Sequence, residues 1–420
     1  MRKLISAVTL CAMAVSMVTG FAVTASAAET INSFEGLQKA VKSGGSYILT
    51  DDIKNVTASL KLGSSNKSFE LDMNGYDIEA NVTKVFDLSG DLTGSIVIKN
   101  SSATESIIYT TKDYLMNLNS GKYDISNVTL KTDSGQTLLF GSSGGEVAFV
   151  MNDCKVFGAT YGINVAKPNS NIEINNTNVT VTQGPAVAST AGNITINGGS
   201  YTRTEGAKNY ILNLGGTSNV VLNNPTVTTT TSEGAAIQVV KGSTGTITVN
   251  GGKYSNTASS KNYVILDSTE SDGATVNINN GVFNGIIQKA DKNKADINVM
   301  GGTYDDDPTS YVDTTAYDVT KADSKWTVSK KQTEAKPVVT SVDGGVTNAG
   351  DGYKSAVYKV DATAHGTKNR IAVTVEGSKE GTQYKDIGTF ITDSDVIFAV
   401  ILIGSDDTEF PTNITAEFVD

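Results

Sequence analysis

Two carboxylates two residues apart, Glu70 and Asp72 in Phe69-Glu70-Leu71-Asp72-Met73, form the pair whose spacing first suggests chemistry. On a strand such residues share a face about 6.5–7 Å apart, which overlaps the separation of an acid and a base that activate water between them. Lys122 and Asp124 offer a second carboxylate with a lysine base beside it. Solvated surface charges at the capped end account for Glu70 and Asp72 equally well. A second set is uncharged: Thr195, Thr246, Thr248, Asn277 and Asn298, flanked by Asn193, Asn219, Thr275 and Asp296, would present hydroxyls and amides on one sheet face. Such a lattice suits glycan hydroxyls or plain water. Only Thr246-Ile247-Thr248 forms a full Thr-x-Thr rung, a poor match to ice.

Other reactive types are sparse. The single histidine, His365, falls in a C-terminal loop, so no histidine-assisted site is expected on the repeats described below. Arg203 lies beside Glu205 and reads as a surface ion pair. Cys154 is the only thiol outside the N-terminal leader, so no internal disulfide is expected.

A repeated segment must position these groups. Apolar-x-apolar, then usually Asn, then a small turn and an apolar or aromatic residue recurs. Its clearest copies are Ile194-Thr195-Ile196-Asn197-Gly198-Gly199-Ser200-Tyr201 and Ile247-Thr248-Val249-Asn250-Gly251-Gly252-Lys253-Tyr254. Ten copies, registered on the Asn position from Asn74 to Met300, recur at a near-constant interval. A unit this short holds no strand-plus-helix, so each is one β-coil of two or three strands. Stacking the coils about 4.8 Å apart predicts a buried column of Met73, Ile98, Ile125, Met151, Ile174, Ile196, Leu222, Val249, Ile278 and Val299. The outward column between the apolar positions then runs Asp72, Val97, Asp124, Val150, Glu173, Thr195, Val221, Thr248, Asn277 and Asn298. Its carboxylates fall two rungs or about 9.6 Å apart, wide for a shared calcium ion. No metal or other cofactor is expected.

Asn74, Asn152, Asn175, Asn197, Asn223, Asn250 and Asn279 are read as a turn column that adopts left-handed backbone and hydrogen-bonds from coil to coil. Tyr201, Tyr254, Phe283 and Tyr304 are read as an internal stack that continues Ile78, Leu130, Val156 and Val179. A sugar-binding platform is the alternative for these aromatics.

The remaining segments frame the solenoid. Residues 1–27, basic at Arg2 and Lys3, apolar from Leu4 to Val23 and ending in Ala25-Ser26-Ala27, read as a signal peptide. Residues 28–328 form the β-helix, with a capping helix at 33–43 stopped by Gly44-Gly45 and a closing segment at 305–328 that holds Pro308 and Trp326. A linker at 329–337 leads to strands around 355–362, 370–376, 396–403 and 413–419, read as a small immunoglobulin-like sandwich over 338–420. Loss of Arg2 and Lys3 with the leader takes the formal charge from −11 to −13, which repels nucleic acid and anionic membrane. No mature segment is apolar enough for a membrane span.

From about residue 30 to 328 the helix, the Asn-Gly-Gly-x-Tyr turns and Gly301-Gly302-Thr303-Tyr304-Asp305-Asp306-Asp307-Pro308 resemble the pectate-lyase-like right-handed β-helix proteins. More narrowly, they resemble the secreted Gram-positive members. The resemblance implies a fold shared by lyases, hydrolases, adhesins and tailspikes. In its lyases, an Arg or Lys base works beside calcium-binding aspartates. The residue types here favour a secreted or surface binding or scaffold protein with a glycan or matrix partner. A polysaccharide lyase or glycoside hydrolase using Glu70, Asp72, Lys122 and Asp124 is the alternative. The sequence does not indicate an oligomeric state.

Overall fold

The computed structural model describes residues 28–61, 67–88, 94–205, 210–268, 273–289, 295–331, 338–341, 347–350, 352–361, 370–375, 382–386, 397–405 and 414–419. The proposed leader and His365 lie outside them. The chain divides into two compact units, Met1–Lys330 and Lys331–Asp420.

The first unit is a parallel β-helix of the right-handed type, of about nine turns. Its strands stack in three sheets of 12, 13 and 10 strands. The ten strands of the third sheet are separated by nine laps of chain, the same count as the intervals between ten repeats. Each lap returns the backbone one rung along the axis, so paired strands run parallel.

The first sheet carries the repeat motif. Ile98, Ile125, Met151, Ile174, Ile196, Leu222, Val249, Ile278 and Val299 pair in one unbroken column. All nine are buried. The first member differs from expectation. Ile98 pairs with Leu71 rather than Met73, and Glu70 pairs with Val97 while Asp72 pairs with Lys99. The turn from this sheet to the second is the cause. It spans four positions from Asn152 to the inward Val156, but six from Asp72 to Ile78. Alignment on Asn74-Gly75 therefore shifted the first coil by two residues.

The second sheet buries the column Ile78, Ile108, Leu130, Val156, Val179, Tyr201, Val227, Tyr254, Phe283, Tyr304. Phe283 lies flat between Tyr254 and Tyr304, with ring centroids 5.0 and 4.9 Å away and planes tilted by 8° and 4°. These aromatics are core, and the Tyr254 and Tyr304 hydroxyls donate to the carbonyls of Gly251 and Gly301. A third column, from Leu60 and Phe86 to Ile265 and Ile287, closes the interior. Each buried apolar side chain contributes about 1.5–3 kcal/mol, and each coil is stabilised by the neighbours it stacks on.

The turn column is a hydrogen-bonded asparagine ladder. Asn175 donates to Asn152 (2.9 Å), Asn197 to Asn175 (2.7 Å), Asn223 to Asn197 (2.7 Å), Asn250 to Asn223 (2.8 Å) and Asn279 to Asn250 (2.7 Å). Asn74 stands outside this ladder and donates to the Leu49 carbonyl. The backbone expectation is also corrected. The left-handed residue is the one after the ladder, at Asn127, Asp153, Asn176, Gly198 and Asn224, while Asn74 alone of the proposed column is itself left-handed.

A helix at Phe34–Ser43 begins at Ser33, whose hydroxyl accepts from the Gly36 amide, and ends at Gly44 with φ 69°. Leu37, Ala40 and Val41 are buried against the first coil. At the other end, strands Tyr317–Ala322 and Lys325–Lys330 form an antiparallel hairpin, whose second strand pairs with Gly302–Tyr304. This hairpin covers the last edge of the second sheet.

Cys154 is buried, with its thiol 3.5 Å from the Ile125 carbonyl and 3.3 Å from that of Asn152. Burial pushes its pKa up to about 12. Because the thiolate is the reactive form, a thiol reagent should leave Cys154 unmodified in folded protein and label it only after denaturation.

The second unit holds two antiparallel sheets, one built around Tyr353–Asp361 and one around Arg370–Val375. Tyr358 and Val360 from the first share a small core with Ile371, Val373 and Ile414 from the second.

Candidate functional site

The first sheet brings the four charged candidates onto one outward face, and places Lys99 among them. The corrected register puts Glu70, Val97 and Asp124 in one column, leaving two rungs between the carboxylates. Lys99 Nζ lies 2.6 Å from Glu70 Oε1, and the Ser46 hydroxyl donates to Glu70 Oε2 at 3.4 Å. Asp72 Oδ1 accepts the backbone amides of Asn74 and Ser101, each at 3.0 Å. Asp124 accepts from the Ser126 hydroxyl at 2.8 Å. Lys99 is held above the ordinary lysine range by its bond to Glu70, against the effect of partial burial, with Asp72 and Asp124 adding attraction. A general acid must offer a proton outward. Glu70 accepts at both oxygens instead, and Asp72 ties one turn to the next. Lys122 is exposed beside Asp124, between Ser95 and Ala148 in its column.

Toward the C-terminal end the same face becomes uncharged over most of its area. One column runs Asn171, Asn193, Asn219, Thr246, Thr275, Asp296, and the next runs Glu173, Thr195, Val221, Thr248, Asn277, Asn298. Asn193 donates to Asn171, Asn219 to Asn193 and Asn298 to Asn277, at 3.0–3.2 Å. With the asparagine ladder this makes a lattice three columns wide and about five rung steps, or roughly 24 Å, tall.

A third feature lies on the second sheet. An open groove of about 570 Å³ is walled by Asn100–Glu105 and floored by Thr129 and Lys155, with Asn127 and Asp153 at its corner. The wall is an insertion. Ladder-to-core spacing is four residues from Asn152 to Val156 but nine from Lys99 to Ile108. Buried Asn100 shapes it, accepting from the Gly75 and Ser102 amides and donating to the Thr104 carbonyl. Two residues further along the strands, Tyr109, Lys131 and Phe157 face outward on consecutive rungs. Lys131 Nζ stands 5.0 Å over the Tyr109 ring. Phe157 is 38% exposed, one of two large apolar side chains so exposed among the described residues.

Glu105 ties wall to floor, accepting from the Thr129 hydroxyl at 2.6 Å and from Lys155 at 2.9 Å. The Thr129 bond, then the Lys155 bond, hold its carboxyl below the ordinary value of 4.5. A lowered folded pKa stabilises above the unfolded value, and that gain fades as pH falls through the folded one. NMR titration should therefore place the Glu105 midpoint below 4.5, and Thr129→Val should raise it.

Sequence reasoning missed this groove, although alternation places Phe157 outward beside the inward Val156 and the nine-residue step marks an insertion. Arg203, read as an ion-pair partner, donates from Nε to the Glu205 backbone carbonyl. Among the described residues no cluster of three or more His, Cys, Asp or Glu side chains is arranged to hold a metal, and no helix is long and apolar enough to cross a membrane.

No protein-family model, curated protein or solved structure matches the chain.

Proposed function

We propose that this is a secreted or surface-displayed bacterial protein of the pectate-lyase-like β-helix type, acting in adhesin-like binding or scaffolding rather than catalysis. Its partner class is a glycan or extracellular matrix, and its C-terminal unit is an immunoglobulin-like spacer. One observation carries the reading. The carboxylates closest to a catalytic arrangement are engaged, Glu70 by Lys99 and Ser46, Asp72 by two backbone amides and Asp124 by Ser126. Beyond them the solenoid offers extended polar faces, the form of surface that grips long ligands by many weak contacts. A Gram-positive source fits the resemblance that the repeats carry.

The test is incubation of purified protein with neutral and acidic polysaccharides, following absorbance of unsaturated products and release of reducing ends. Retention on a glycan without product is expected. Product that disappears in Glu70→Gln or Asp124→Asn would establish the enzymatic alternative and overturn this reading.

A further inference from the structure

We infer that the groove and the Tyr109–Lys131–Phe157 strip form one binding track for an extended neutral polysaccharide, running along the solenoid axis on the second sheet. The inference rests on the glycan-binding reading above and assigns its site and substrate class.

Three observations on different residues converge. The first is exposure. A large aromatic side chain that stays more than a third exposed on a sheet face leaves apolar surface uncovered, and Phe157, between Lys131 and Thr180 in its column, is 38% exposed. The apolar face of a pyranose ring covers such an aromatic surface, as aromatic side chains in ligand sites commonly do.

The second is periodicity. Tyr109 and Phe157 lie two rungs apart, about 9.6 Å, with Lys131 between them over the tyrosine ring. Beyond Phe157 the column continues as Thr180, Thr202 and Thr228, and the first two hydroxyls lie 3.3 Å apart. A rung step is comparable with the length of one sugar residue in an extended chain. Successive rings would therefore meet an aromatic surface and then a row of hydroxyls. The groove beside them adds the Lys155 ammonium, which has N–H donors beyond its bond to Glu105, as a hydroxyl partner.

The third is charge. Glu79 precedes Tyr109 in the column, and Glu105, Asp133 and Asp153 border the strip, while Lys131 pairs with Asp133, Lys155 with Glu105 and, at the near end, Lys54 with Asp52, so the described charges still sum to a negative surface. Asp77, which accepts the Ile107 amide, is held above the ordinary carboxylate range, chiefly by burial, with Asp52, Glu79 and Glu105 adding repulsion. A field of this sign repels uronate polymers and leaves neutral, hydroxyl-rich chains as the fitting class.

Affinity electrophoresis of the full mature chain through gels containing hydroxyethyl cellulose, with polygalacturonate gels in parallel, tests the assignment. Retardation by the neutral polymer alone is expected, weakened about tenfold or more by Phe157→Ala and retained in Phe157→Tyr. Lys39→Ala, exposed on the capping helix and away from both polar surfaces, should leave it unchanged. Retardation lost in Thr248→Glu and kept in Phe157→Ala would overturn the site while glycan binding stands. Retardation by polygalacturonate alone would overturn the substrate class. Retardation by neither polymer would overturn the track and the glycan reading together. Unchanged thermal unfolding of Phe157→Ala excludes misfolding as the cause of any loss.

Discussion

Phe283→Ala should lower the stability of the solenoid by about 3–5 kcal/mol, the range for emptying a buried aromatic site. Phe283 is fully buried, stacked on Tyr254 and Tyr304 with nearly parallel rings. Its removal leaves a gap between two flat rings that cannot close without collapsing one rung onto the next. Each coil of a solenoid touches only its neighbours, so the loss should concentrate in the last coils. Hydrogen exchange checks this: amides of Val276–Ile278 and Ile297–Val299 should lose protection while those of Ile125 and Met151 keep theirs. Uniform loss along the whole helix would contradict the nearest-neighbour picture. Phe157→Ala, at an exposed position, should change stability by no more than about 0.5 kcal/mol.

Two adjacent glycines provide the second large contrast. Gly198 and Gly199 both have left-handed backbone, with φ of 69° and 76°. A side chain at Gly198 would meet nothing closer than 4.0 Å, and Asn176 and Asn224 hold the same corner in the coils before and after. A side chain at Gly199 would lie 2.1 Å from the Thr177 carbonyl oxygen, a backbone atom of the coil below. Gly198→Asn should therefore be nearly neutral. Gly199→Val should cost on the order of 3 kcal/mol or more, because a β-branched residue at positive φ adds strain to a contact that forces the coils apart. Chemical denaturation of the two variants measures the difference. Equal effects would mean that the coils do not approach so closely at this corner.

The fold was legible because its repeat is physical. Inward residues such as Ile196, Leu222 and Val249 recur at one lap because only apolar side chains fit a dry interior, and Asn197, Asn223 and Asn250 recur because each amide pairs with the next. The capping helix was legible from Ser33 at one end and Gly44 at the other. Misreading began where a turn changed length. Asn74-Gly75 resembles the later turns in composition, yet it lies two residues past the ladder position that Asp72 occupies. The same cause hid the groove, whose wall is the longer turn after Lys99. Lys99 escaped notice among the charged candidates for a related reason. Its bond to Glu70 depends on which residue faces which across coils, and the pattern within one strand does not contain that information.

That register is the point on which the account turns, because it decides whether the first carboxylate faces its neighbours free or held by Lys99. Parallel partners one rung apart have Cα atoms about 4.8 Å apart, within disulfide range, whereas a pair offset by two residues is separated by roughly 8 Å. Paired cysteine variants under mild oxidation measure it directly. Glu70→Cys with Val97→Cys should cross-link, and Asp72→Cys with Val97→Cys should not. Cross-linking of the second pair and not the first would return Asp72 to the column of Asp124 and undo the account of the charged face.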